Sequence, residues 1–255
     1  MTDVHAHFAG EGYDVPAELA RMRRAGVTRV ILASDTLAHA REHARISAEE
    51  DGVFFAAGIH PSESNEYNGD TVSALKALCG RAGCVAVGEI GLDYHYPDTD
   101  KPRQWEAFRG QILLADMVGL PIQIHSRDAA ADTLAVLREM RPHLGHGLLL
   151  HCYSYGKELL DDFLRLGAYV SFGGVLCFKN ARRAVESCVA CPEERLLTET
   201  DSPYLSPFRG QKNAPANIPV VVARMAEIRG IDAEELAART DENADRLFPG
   251  LRGER

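Results

Sequence analysis

His5 and His7 stand two residues apart in the first apolar run of the chain, and Glu89, His125, His151 and Asp201 follow downstream, each closing a short apolar run of its own. A strand alternates its side chains with period two, so His5 and His7 point to one face together. Neutral imidazoles and carboxylates are the ligands that divalent first-row ions favour. One catalytic ion ordinarily takes three protein ligands and keeps a position open. Six ligand-type side chains therefore suggest two ions that share a carboxylate, the arrangement that clamps the attacking and leaving oxygens of a displacement. Glu89, central in strand order, is the expected bridge, because a carboxylate buried beside Gly88 and Gly91 is costly without a neighbouring cation. Four imidazoles lean toward zinc, manganese or cobalt, and the two carboxylates also admit magnesium.

Side chains so far apart in sequence need a fold that gathers the ends of separate strands. Eight apolar runs can be marked, at residues 2–7, 27–33, 53–58, 84–88, 122–125, 148–151, 168–172 and 196–200. Segments of helical periodicity separate them, as repeated βα units require. Gly26, Gly119 and Gly167 end the helical stretches before three of the runs. The pattern predicts a single-domain (β/α)8 TIM barrel over residues 1–255, a size usual for that fold. Helical segments from about residue 218, at 220–229, 233–239 and 242–248, are expected to close it. The candidate ligands fall at the ends of strands 1, 4, 5, 6 and 8. Only a closed sheet brings those ends to one centre, on the face where barrel active sites lie.

Composition narrows the partners. A net charge of −9 argues against a protein that coats nucleic acid along a broad basic surface. It leaves nucleic acid open as a substrate, since bound divalent cations reverse the sign of a pocket locally. No apolar stretch approaches the roughly 20 residues needed to span a bilayer, and no secretory pattern opens the sequence, so no membrane partner and a cytoplasmic location are expected. The six cysteines are scattered, and the Cys188–Cys191 pair has no second pair to complete a zinc site, so reduced thiols are expected. No G-x-S-x-G elbow, P-loop or dinucleotide fingerprint occurs. His39 and His43 lie on a charged helix expected in the outer ring, His143 and His146 flank a loop, and His95 belongs to a loop on the catalytic face.

At these residues the chain resembles the TatD family of metal-dependent hydrolases, among the amidohydrolase-like barrels. The motifs run in order: Asp3-Val-His5-Ala-His7, Gly58-Ile-His60-Pro61, Gly88-Glu-Ile-Gly-Leu-Asp-Tyr94, Pro121-Ile-Gln-Ile-His-Ser-Arg127, His151-Cys-Tyr-Ser154, Thr200-Asp-Ser-Pro-Tyr-Leu205 and Arg209-Gly-Gln-Lys-Asn213. The resemblance implies that His5, His7, Glu89 and Asp201 hold one ion, and Glu89, His125 and His151 the second. It implies nuclease activity, with nucleic acid as substrate rather than stable partner, and it sets His60 and Arg127 near the scissile phosphate. A water acidified by the cations would attack phosphorus, with Asp201 orienting it or taking its proton. Single-stranded or frayed DNA ends are the expected substrates, because a recessed mouth does not admit an intact duplex. The competing expectation is hydrolysis of an amide, ester or aminoacyl bond, since the same centre serves carbonyl chemistry. Three departures bear on substrate preference. Tyr153 stands where the family often has Phe and is expected to add a hydroxyl near the centre, Ala214 replaces a common acidic residue, and the loop from Phe8 to Asp14 is short and glycine-rich.

Overall fold

All eight apolar runs become strands, as seen in a computed structural model that describes residues 1–8 and 14–253. They are β1 (Thr2–Ala6), β2 (Arg29–Leu32), β3 (Val53–Ala56), β4 (Cys84–Asp93), β5 (Ile122–Arg127), β6 (Leu148–Leu150), β7 (Ala168–Phe172) and β8 (Leu196–Thr198). Each pairs in parallel with its sequence neighbour. Helices α1 (Val15–Arg24), α2 (Leu37–Glu49), α3 (Gly69–Cys79), α4 (Lys101–Val118), α5 (Ala130–Glu139), α6 (Lys157–Leu164) and α7 (Arg182–Ala190) alternate with the strands. Closure is made just beyond β8. The His7 amide donates to the Ser202 carbonyl at 2.7 Å, and the Asp201 amide to the His5 carbonyl at 2.9 Å. The same two bonds that shut the nearly closed TIM barrel hold Asp201 against His5 and His7.

Local signals account for the helix ends. The side chains of Asp14, Thr36, Asn68 and Asp100 accept backbone N–H groups at the starts of α1, α2, α3 and α4, each cap worth about 1 kcal/mol. Gly119 takes a left-handed conformation where α4 stops. Beyond the barrel, α8 (Ile218–Arg229) precedes α9 (Ala233–Leu247), which joins the two segments expected as separate helices. No glycine or proline lies between them to break the run.

Helix α9 covers the amino-terminal end of the barrel. Ala244, Leu247, Phe248 and Leu251 share a buried cluster with Val4, Ile31, Ala56, Val85, Leu149 and Leu197. Fully burying an apolar side chain of this size contributes about 1.5–3 kcal/mol. The Met1 amine pairs with Asp241 at 3.3 Å, and Arg29, first in β2, bonds Asp245. With that end sealed, the mouth at the carboxyl ends of the strands is left for chemistry.

Two expectations need correction. Strand β4 does not stop at Gly88 but runs to Asp93, buried along its whole length, so Glu89 lies within the strand rather than at its end. The β4–β5 register shifts between Val87 and Ile90, and the chains then approach so closely that a Cβ on Gly91 would sit 1.9 Å from the His125 carbonyl oxygen. Glycine is what lets the pair continue past the rim.

The second concerns α2. His39 stays near the surface, but His43 faces inward and is fully buried. Ser34 Oγ donates to the Ala56 carbonyl, so it accepts from His43 Nδ1 at 3.0 Å. That leaves His43 Nε2 as an unpartnered buried lone pair. Burial first, then His7 and His39, lower its pKa to about 3. The unfolded side chain takes a proton below its ordinary 6.5, whereas the folded one stays neutral until about 3. Stability is thus unaffected above pH 6.5 and falls as pH drops through that window, by at most about 1.4 kcal/mol per pH unit. His43→Asn, whose amide can keep the bond to Ser34, is expected to flatten the slope of urea stability between pH 7 and 5. Equal slopes would remove this account.

Cys188 and Cys191 are buried free thiols, and burial pushes their pKa values up to about 11 and about 12. Arg229 caps their carbonyls, a structural role. Among the described residues no helix is long and apolar enough to cross a membrane. Of the glycine-rich loop at 8–14, residues 9–13 lie outside the described residues.

Candidate metal centre

Six side chains from strands β1, β4 and β5 and from the turns after β1, β6 and β8 meet at the mouth. Glu89 lies at the centre. Its Oε1 is 2.7 Å from both His125 Nδ1 and His151 Nε2. Its Oε2 is 3.2 Å from His5 Nε2 and 3.5 Å from His7 Nε2. Asp201 Oδ1 adds contacts of 3.3 Å to His7 Nε2 and 4.0 Å to His5 Nε2. Asp201 itself has φ of 55°, a left-handed conformation that Asp tolerates better than most residues. The rings of His5 and His151 stack with centroids 3.9 Å apart.

The outward nitrogens complete the arrangement. His5 Nδ1 donates to Gln123 Oε1 at 3.0 Å, an orientation set because the Gln123 amide nitrogen donates to the Val4 carbonyl. His125 Nε2 lies 3.1 Å from Asp93 Oδ2, and His7 Nδ1 3.4 Å from Asp35 Oδ1. His151 Nδ1 faces Glu199 Oε1 at 3.7 Å. Each imidazole thus turns one nitrogen to an oxygen acceptor and the other to the centre. Gln123 and Asp93 are within hydrogen-bond distance of His5 and His125, whereas Asp35 and Glu199 only face His7 and His151. An outer acceptor favours the tautomer that aims a lone pair inward, as metal-binding histidines require.

Four inward nitrogens and two carboxylates facing one another call for positive charge. His125 Nδ1 and His151 Nε2 are 3.2 Å apart, and His7 Nδ1, His151 Nδ1 and Glu199 Oε1 are buried without hydrogen-bond partners. Burial disfavours ionised Glu89, yet His151, His5 and His60 hold its carboxyl well below the usual range. Burial likewise opposes a charged His7, but Asp35, Asp201 and Glu89 raise it to about 9. Protons on His7, His125 and His151, whose pKa values are raised, supply positive charge, and a divalent ion would displace them. Among the described residues five groups of three side chains bring their ligand atoms within 4.8 Å of one another, and two of them, His5 with His7 and Asp201 and Glu89 with His125 and His151, match the expected ligand sets. The donor set fits divalent cations.

His60 differs from the other four. Its Nδ1 accepts the Ser62 amide at 3.1 Å, and burial lowers its pKa to about 4. The neutral ring therefore carries its proton on Nε2, which points to Glu89 Oε1 at 3.7 Å. It presents a donor to the mouth, not a lone pair. Arg127 is exposed at the end of β5, with its guanidinium 5.9 Å from the centroid of the Tyr96 ring.

Tyr153 is not at the mouth. It is 2% exposed, its ring packs edge-on against Phe163 and Phe172, and its hydroxyl donates to the Gly156 carbonyl. The backbone turn after β6 directs it into the apolar layer beneath α6, so the expected hydroxyl at the centre is absent. Ala214 is buried, and the neighbouring Asn213 instead braces the site by donating to the Thr200 carbonyl at 2.6 Å. His95 is an exposed loop residue that faces Asp128 at 3.2 Å.

Sequence reasoning missed Asp35, Asp93, Gln123 and Glu199. Glu199 and Gln123 carried a usable signal, as polar residues inside apolar runs; Asp35 and Asp93 did not stand out from ordinary loop acids. Gln123→Leu is expected to weaken metal affinity about 10–100-fold, the usual cost of losing an outer partner. Competition with a chelating dye would measure it, and unchanged affinity would show that His5 needs no such brace. Asp3 acts one step further out. It accepts from the Thr200 amide and hydroxyl at 2.9 and 2.6 Å, and so ties β1 to the turn that carries Asp201.

A nearly closed parallel barrel with a histidine–carboxylate centre at its mouth defines a metallohydrolase-type architecture. The family model for TatD related DNase matches residues 2–249, so the chain belongs to the TatD family of metal-dependent hydrolases. It is 37% identical over 255 residues to the metal-dependent hydrolase YabD of Bacillus subtilis, covering 97% of this chain and 98% of that one. It is 35% identical over 245 residues to the 3′-5′ ssDNA/RNA exonuclease TatD of Dickeya dadantii, covering 92% of each. The crystal structure of YJJV, a TatD homologue from Escherichia coli, superposes with a TM-score of 0.92 at 28% identity over 98% of both chains.

Proposed function

We propose that this chain is a phosphodiesterase that removes nucleotides from single-stranded or frayed DNA ends. His5, His7, Glu89 and Asp201 would hold one divalent ion, and Glu89, His125 and His151 a second, the ions being zinc, manganese, magnesium or cobalt. The observation that carries this reading is the orientation of four imidazoles, each with its outer nitrogen toward an acceptor and its inner nitrogen toward Glu89 or Asp201. Such ions, when bound, acidify water and neutralise charge developing on phosphoryl oxygens.

The chain's own groups divide the remaining work. Nε2–H of His60 donates to a phosphoryl oxygen, and its low pKa keeps one proton there across the neutral range. Arg127 offers a planar fork that matches two phosphate oxygens. Asp201 orients the attacking water or takes its proton. The recessed mouth favours unpaired ends over an intact duplex. The exonuclease named among the relatives supports this substrate class. We place the activity in one domain, residues 1–255, working in the cytoplasm.

The test is elemental analysis of purified protein, followed by parallel assays on an end-labelled single strand, a blunt duplex and an N-acyl amino acid. Metal-dependent shortening, fastest on the single strand, is expected. Equal rates on single strand and duplex would remove the preference for unpaired ends. Turnover of the N-acyl compound with intact DNA would replace the phosphodiesterase reading with an amide-hydrolase one.

A further inference from the structure

The turn after β8 leads from Asp201 into a segment that leaves its aromatic side chains outside. Tyr204 is 59% exposed and Phe208 44%, with Leu205 between them also exposed. The backbone beneath is held firmly. The Tyr204 amide donates to the Asp201 carbonyl at 2.9 Å, and the Asn213 amide to the Pro203 carbonyl at 3.0 Å. The Leu205 carbonyl packs so close to Gly174 that a Cβ there would lie 2.1 Å from it. A braced backbone with outward aromatic rings suggests a surface built to receive something.

Three observations identify what it receives. The Tyr204 ring meets the His7 ring edge-on at 5.9 Å, so the Tyr204 end of the segment borders the metal centre. Arg209 and Lys212 are exposed on the same segment, and no carboxylate pairs with either among the described residues. In a chain of net charge −9, this leaves two exposed cations on the segment that carries both aromatic rings. Flat apolar faces interleaved with cations suit a ligand of alternating planar rings and phosphates, the chemistry of an unpaired nucleic acid strand.

Resting on the phosphodiesterase reading above, we infer that Tyr204 and Phe208 form a stacking platform for the nucleobases next to the scissile phosphate, with Arg209 and Lys212 along the strand's phosphates. Every base has a π-face, so the platform is indifferent to sequence. A paired base keeps its faces stacked within the duplex, so the platform selects unpaired ends independently of the width of the mouth. Both residues are binding residues and take no part in bond cleavage.

The test uses metal-loaded protein and a phosphorothioate oligothymidylate carrying 2-aminopurine at each of its last three positions in turn. Stacking on an aromatic ring quenches this base. Quenching at one or two positions is expected with the native protein. Tyr204→Ala should remove it at the position nearest the end and weaken binding about tenfold, and Phe208→Ala should do so one position further in. Tyr204→Phe keeps the ring and should restore both, which separates stacking from a folding defect. Arg209→Gln with Lys212→Gln should flatten the slope of log affinity against log salt by about 0.7 for each phosphate no longer neutralised. Unchanged quenching and affinity in both alanine variants, with the oligonucleotide still bound, would overturn the platform and leave the phosphodiesterase reading standing. Failure of the native protein to bind or cut any oligonucleotide would sink that reading and the platform with it.

Discussion

Glu89→Ala is expected to lower hydrolysis at least about 10³-fold and to cost the protein at least one bound ion, while the barrel stays folded. Among the described residues Glu89 is the one carboxylate that reaches all four ligand imidazoles, through Oε1 to His125 and His151 and through Oε2 to His5 and His7. Its removal deletes the negative charge placed between the two pairs of histidines. Losing several kcal/mol of transition-state charge stabilisation corresponds to a rate loss of this size. The fold should survive, because β4 is held by its backbone ladder to β5 and by apolar neighbours such as Val87, Ile90 and Leu92. Elemental analysis, circular dichroism and nuclease assay on one preparation check all three parts. Full activity with a full metal load would refute a bridging Glu89.

Asp201→Asn should lower kcat by about 10²–10⁴-fold at saturating metal, with a smaller effect on KM. The amide preserves size, tolerates the left-handed backbone at this position and can still face a cation with its oxygen, but it is a poor proton acceptor. A loss that disappears when metal is raised would mean that Asp201 serves only as a ligand. A loss that persists assigns it to the attacking water. In the native protein, burial opposes ionisation of Asp201, but His7 and His151 hold its carboxyl below the ordinary range, so it is a carboxylate and able to accept at neutral pH.

The sequence carried much of this centre because period-two alternation and strand-end positions are local properties. His5 and His7 share a face whatever the rest of the chain does, and His151 follows the last residue of a three-residue strand. The glycine stop at Gly119 was equally legible, since it depends on neighbours only, while the caps at Asp14 and Asp100 emerged only with the structure. Tyr153 shows the limit. It lies two residues after His151, but the positive φ of Cys152 turns the chain between them, and a side chain expected at the mouth is buried under α6 instead. His43 shows the same limit on a helix, where a face expected outward turns to Ser34.

The amino-acid order alone therefore determined the ligand types, their spacing and the repeated βα unit, because these follow from side-chain chemistry and backbone periodicity. Tertiary structure alone decided which nitrogen of each histidine faces inward. That choice depends on Gln123, Asp35, Asp93 and Glu199, delivered from other strands and turns at distances no local pattern records. It also separated His60 from the ligands, by a single backbone N–H from Ser62. Hydrogen-bond direction is set by partners in space, and only a folded barrel brings those partners together.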